Sequence, residues 1–204
     1  MRALYCTVCT AVLPAAGGPR GALGVRRHVV WGLSKDFGMS GLRFGCVWTQ
    51  NERVLQALGT AAMFGAVPGV CQAMVTELLL DDAFCDDYLR ANAVALRLSC
   101  ASCAAALDAL GLPYYAPAAG MFLWCDLSSL LPMFGGDGWA AEERLYDALR
   151  VEIRVILTPG AAQHAAEPGW FRICYAFVER GVLDAVLAAI QSWVEARRAA
   201  STAR

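Results

Sequence analysis

Lysine is almost absent from this chain: among 204 residues arginine occurs sixteen times and lysine once, at Lys35. A guanidinium can replace an ammonium in an ion pair or on a snorkelling stem, but it stays protonated and cannot act as an amine nucleophile. The pressure that set the other cationic positions to arginine did not act at Lys35, which marks it as a place where amine chemistry is needed. Net charge is lacking too. Seventeen basic and eighteen acidic residues leave a formal charge of −1, which excludes a basic footprint for nucleic acid and an acidic tail. Small neutral or zwitterionic partners fit better.

Hydrophobic residues make up 58% of the chain and charged residues 17%, which excludes a disordered polar tail and raises the question of a membrane. The longest uncharged stretch, Val54 to Thr76, is interrupted by Gly65-Ala66-Val67-Pro68-Gly69 and carries Gln56 and Gln72, so it reads as two short core helices meeting at a Pro-Gly break. No membrane association is expected. Nine cysteines are an odd number that cannot pair completely. Cys6-x-x-Cys9 and Cys100-x-x-Cys103 lack the histidines and flanking turns of a zinc site, so the thiols are expected to be small core residues in a reduced compartment, with no metal. Residues 1–27 hold four arginines, no acid and an apolar run from Ala3 to Leu13. They read as an organelle transit segment, a poor secretory signal or the start of a truncated reading frame.

Along the rest of the chain, His28 to Leu33 predicts a short buried strand, Ser34 to Gly41 a glycine-punctuated loop, and Arg43 to Thr49 a second strand. Asn51 is placed to cap a helix towards Gly65, a second helix follows Pro68-Gly69 to Leu80, and Asp81 or Asp82 starts a long third one that Gly111-Leu112-Pro113 ends. Strands are then expected at Tyr114-Tyr115, Met121 to Leu127, Ile153 to Leu157 and Trp170 to Ala176, with helices over Ala140 to Arg150 and Gly181 to Arg198. This order suggests the end of an α/β domain followed by a small α+β domain.

The segment Ser34 to Gly45, SKDFGMSGLRFG, resembles the cofactor loop of class I/II aminotransferases and of 1-aminocyclopropane-1-carboxylate synthase-like proteins, in which lysine, glycines and arginine are fixed together. Two later segments resemble the same family: Ala119 to Leu127, similar to the small-domain strand bordering the substrate, and Thr158 to Ala176, TPGAAQHAAEPGWFRICYA. The likeness runs from about His28 to about Val194 and matches the C-terminal portion of that family. It implies the end of the large domain of a fold-type I transferase over residues 28–90 and the small C-terminal domain over residues 91–204. It also implies pyridoxal phosphate joined to Lys35 as a Schiff base, with Ser34 and Arg43 on the phosphate and Arg172 on the α-carboxylate of an amino-acid substrate. A homodimer is expected for the complete protein, in the cytoplasm unless residues 1–27 prove to be a transit segment.

Three departures stand out. Many relatives carry a serine three residues before the lysine, where this chain has Gly32, and an aromatic after T-P-G, where it has Ala161, Ala162 and Gln163. The family's ring-nitrogen aspartate precedes the lysine, whereas residues 1–34 contain no aspartate. The expected activity is therefore transamination or synthase-type elimination on an α-amino acid. The alternative is a truncated non-catalytic fragment or pseudoenzyme that keeps the lysine loop and the small domain.

Overall fold

The computed structural model describes residues 28–63 and 65–202, so the expectations for residues 1–27, Cys6-x-x-Cys9 among them, lie outside the described residues. The chain divides into two compact units, residues 1–91 and 92–204.

In the first unit, β1 (His28–Gly32) and β2 (Gly45–Thr49) form an antiparallel pair in the register His28↔Thr49 to Gly32↔Gly45. Between them, α1 (Leu33–Asp36) is a single helical turn where a loop was expected, followed by a 3-10 turn over Ser40–Leu42. The turn forms because the Leu33 carbonyl accepts from both Phe37 N (3.3 Å) and Met39 N (3.1 Å), while the fully buried Leu33 side chain anchors it. Both strands are shorter than expected: Leu33 has left the first, and Arg43, with φ 50° in the left-handed region, delays the second to Gly45. Leu33, Phe37, Phe44, Cys46, Val67 and Val75 form the core of this unit.

The helices α2 (Glu52–Ala62) and α3 (Gly69–Leu80) replace the long uncharged stretch, and α4 (Asp82–Leu110) follows. Asn51 caps α2 through its side-chain oxygen, which accepts from Arg53 N and Val54 N, and Asp81 caps α4 by accepting from Phe84 N at 2.9 Å. Gly111, at φ +63°, ends α4 with paired closing bonds, Gly111 N to Asp108 O and Leu112 N to Leu107 O. By length and composition α4 is apolar enough to cross a membrane; within the second unit its last turns contribute Cys103, Ala106, Leu107 and Leu110 to a core.

The second unit is a four-stranded antiparallel sheet of β3 (Tyr114–Tyr115), β4 (Phe122–Asp126), β5 (Thr158–Pro159) and β6 (Trp170–Cys174), in the order β3-β4-β6-β5. Successive side chains along its strands take opposite faces, and burial alternates with them. Leu123, Cys125, Phe171 and Ile173 point into a core completed by α4, α5 (Trp139–Glu152) and α6 (Arg180–Thr202), while Phe122, Trp124, Trp170 and Arg172 stand half-exposed on the opposite face.

The strand expected at Ile153 to Leu157 does not form. Arg154 takes a left-handed φ of 58° as α5 ends, Val155 N bonds back to Leu149 O at 3.0 Å, and Val155 and Leu157 plug the core while Ile156 stays exposed. The edge strand begins only at Thr158, where pairing with Arg172 becomes possible. The seven cysteines among the described residues are free thiols.

Candidate functional site

The first cluster of interest lies where β1 runs into α1. Trp31, Gly32, Ser34, Arg43, Phe44 and Gly45, with Val30, line an open cleft of about 400 Å³. The structure thus brings Ser34 and Arg43, nine positions apart in sequence, to one cavity. Gly32 and Gly45 face each other across the hairpin, and a Cβ on Gly32 would stand 3.0 Å from the Phe44 carbonyl oxygen. That close approach gives the glycine found in place of serine a local reason. Arg43 donates from Nη1 to the Ser40 carbonyl at 3.1 Å, and its left-handed backbone turns the side chain at the close of the 3-10 turn.

Lys35 is the residue after Ser34, on the exposed side of the helical turn. The turn is braced on both flanks. Asp36 accepts from the Trp31 indole at 2.6 Å, and Phe37 stacks on Tyr88 at 5.2 Å while the Tyr88 hydroxyl donates to the Phe37 carbonyl at 2.9 Å. A guanidinium, a hydroxyl and two side-chain-free positions at one cleft suit a phosphate dianion. The neighbouring amine is the one nucleophile of its kind in the sequence.

The second cluster centres on Arg172, on the half-exposed face of the other unit. Its cross-strand partners are Trp124 on β4 and Thr158 on β5. The guanidinium lies 4.4 Å from the Phe122 ring centroid, donates from Nη1 to Gln163 Oε1 at 3.0 Å, and from Nη2 to Thr158 Oγ1 at 3.3 Å. Its Nε is buried and has no hydrogen-bond partner. Every acceptor it has is neutral, and among the described residues no carboxylate forms an ion pair with it. An uncompensated half-buried cation whose hydrogen-bond acceptors are all neutral suits an anion. Beside it Tyr115, Trp170 and Trp124 stack in a row at 5.4 and 5.8 Å.

Glu142, which the sequence reading missed, supports this cluster from behind. It lies in the first turn of α5, only 1% exposed, and accepts from Ala161 N at 3.0 Å and Gly169 N at 2.6 Å. One carboxylate thereby fixes both ends of the loop between β5 and β6, favoured by the positive end of its own helix. Two glycines let the loop close: a Cβ on Gly160 would meet the Trp170 carbonyl oxygen at 2.8 Å, and one on Gly169 the Ser128 Cα at 2.6 Å. Only an acid placed near the start of a helix hinted at this role. His164 is exposed, in a left-handed conformation that ends the Gly160–Gln163 turn.

Comparison with known proteins gives a consistent result. The family model for aminotransferase class I and II matches residues 14–190. The chain is 38% identical over 173 residues to 1-aminocyclopropane-1-carboxylate synthase 4 of Oryza sativa subsp. japonica, covering 84% of this chain and 35% of that protein. It is 34% identical over 164 residues to 1-aminocyclopropane-1-carboxylate synthase 6 of Arabidopsis thaliana, covering 80% and 32%. Among solved structures, the aromatic aminotransferase from Pyrococcus horikoshii OT3 superposes with a TM-score of 0.73 at 20% identity, covering 88% of this chain and 46% of that one. A Thermus thermophilus aspartate aminotransferase double mutant gives 0.70 at 24% identity, covering 85% and 42%. The fold is that of these aminotransferases, and the chain spans about a third of the length of the curated relatives it matches.

Proposed function

The chain belongs to the aminotransferase class I and II family, and on that premise we propose that it serves α-amino-acid chemistry with pyridoxal phosphate attached at Lys35. The observation that carries this reading is the convergence of Ser34 and Arg43 on one cleft, with the sole lysine of the chain at the position after Ser34 in sequence. In this reading the Arg43 guanidinium and the Ser34 hydroxyl hold the phosphate, and Gly32 and Gly45 let the backbone come close to it. Bound there, the cofactor supplies an electron sink for charge developing at a substrate α-carbon. The Lys35 amine, exposed on a braced turn, is the attachment point and the group able to take the α-proton.

Arg172 is assigned to the substrate α-carboxylate, because its partners are neutral and its Nε lacks an acceptor. Thr158 and Phe122 then orient the guanidinium. Transamination and synthase-type elimination both use these groups. The same reading has the protein acting as a cytoplasmic homodimer, to be tested by light scattering and cell fractionation.

Borohydride reduction of the chain after incubation with pyridoxal phosphate, followed by peptide mapping, is the direct test. A pyridoxyl group on the Lys35 peptide is expected, and its loss in Lys35→Arg. A label found only at the N-terminal amine would reject the assignment.

A further inference from the structure

Gln163 stands on the guanidinium that the reading above reserves for a ligand. Its Oε1 accepts from Arg172 Nη1 at 3.0 Å, and its own Nε2 donates to the Ala162 carbonyl at 2.9 Å, so both ends of the amide are engaged. The backbone beneath it is fixed as well. Gly160 has no room for a side chain, Ala161 N is bound to the buried Glu142, and His164 closes the turn at φ 55°. The Gln163 side chain is exposed, yet its root is held in register with Arg172.

We propose that Gln163 is a specificity-determining latch on Arg172: its side-chain oxygen occupies a donor that an incoming carboxylate needs, so a carboxylate binds by displacing it. The proposal rests on the assignment of Arg172 to the α-carboxylate. A neutral amide oxygen satisfies one N–H without neutralising the charge, and it leaves Nε without an acceptor. A carboxylate supplies two oxygens and a charge in the planar geometry of the guanidinium. The exchange therefore favours bidentate carboxylates over single-atom anions and over neutral amides, which cannot offset the loss of the Gln163 contact. A phenylalanine at this position, as in the family pattern resembled by residues 158–176, would have no oxygen to offer.

The test uses the 204-residue chain and its variants Gln163→Ala and Gln163→Glu, checked for folding by circular dichroism. Modification of Arg172 by phenylglyoxal is followed by peptide mapping, with and without L-alanine, and with alaninamide as the carboxylate-free control. Arg172 should react about tenfold faster in Gln163→Ala than in the parent, as expected when a hydrogen bond to a charged group is lost. In Gln163→Glu it should react more slowly, because an internal ion pair replaces the amide. L-alanine should protect Gln163→Ala at about a tenth of the concentration the parent needs, and alaninamide should protect neither. Equal or slower labelling of Gln163→Ala overturns the latch. Faster labelling with equal protection of parent and variant overturns the need for displacement while leaving Arg172 as the carboxylate site. Faster labelling with no protection by L-alanine in any variant overturns the carboxylate assignment, and the latch with it.

Discussion

Removing the Glu142 carboxylate should destabilise the second unit more than any change at an exposed acid. The side chain is 1% exposed and its two oxygens accept from Ala161 N at 3.0 Å and Gly169 N at 2.6 Å. In Glu142→Ala the buried Gly169 N and the part-buried Ala161 N both lose their partner, at about 1–3 kcal/mol each. Relief of the desolvation of a buried carboxylate returns part of that, so a net loss of about 3 kcal/mol is expected. Glu142→Gln keeps one oxygen and turns an NH₂ towards the other donor, which should cost about 2 kcal/mol. Urea unfolding followed by circular dichroism and tryptophan fluorescence measures both. With a slope of about 1–3 kcal/mol per molar, Glu142→Ala should lower the midpoint by about 1–3 M without altering the slope. Glu142→Asp should fall between parent and alanine, since its shorter reach serves one donor better than two. If Glu142→Ala lies within about 0.5 kcal/mol of the parent, the range of an ordinary surface substitution, the brace does not exist.

Gly169→Ala should unfold at markedly lower urea, by about 3 kcal/mol, because the added Cβ would stand 2.6 Å from the Ser128 Cα on a backbone at φ +97°; a midpoint equal to the parent's would mean that this close approach is not real. Burial above all, then the neighbouring Cys100, pushes the Cys103 thiol up to about 11, and burial, then Asp126, pushes Cys125 up to about 12. Both should resist iodoacetamide at pH 8 until denaturant is added, which mass mapping will reveal; labelling of the native chain at either thiol would contradict this. Since the folded values lie above the ordinary thiol value of 9.0, the stability these thiols contribute is intact below about pH 9 and lost as pH rises towards 11–12.

What the sequence disclosed depended on how far each feature reaches. Strands β4 and β6 could be read from short runs of aliphatic and aromatic residues, and the helices from caps and stops that act within a few residues: Asn51, Asp81, Gly111. Ile153 to Leu157 is a similar short run rich in β-branched residues, but a strand also needs a partner, and Arg154 turns that segment out of the sheet before Thr158 meets Arg172. The site divides along the same line. Lys35, Ser34 and Arg43 lie within nine positions, so the family resemblance of one short segment announces them together, and the scarcity of lysine singles out the amine. The helical turn that presents them depends on Tyr88, fifty-one positions from the Phe37 carbonyl it binds. Around Arg172 nothing local speaks for Glu142. Its two donors lie nineteen and twenty-seven positions away, and in sequence it is one of a pair of acids on a helix. A group whose role is to join two distant stretches of backbone leaves no period and no motif, so it becomes visible only when the chain is folded. In this protein that includes the carboxylate holding the loop from which Gln163 reaches Arg172.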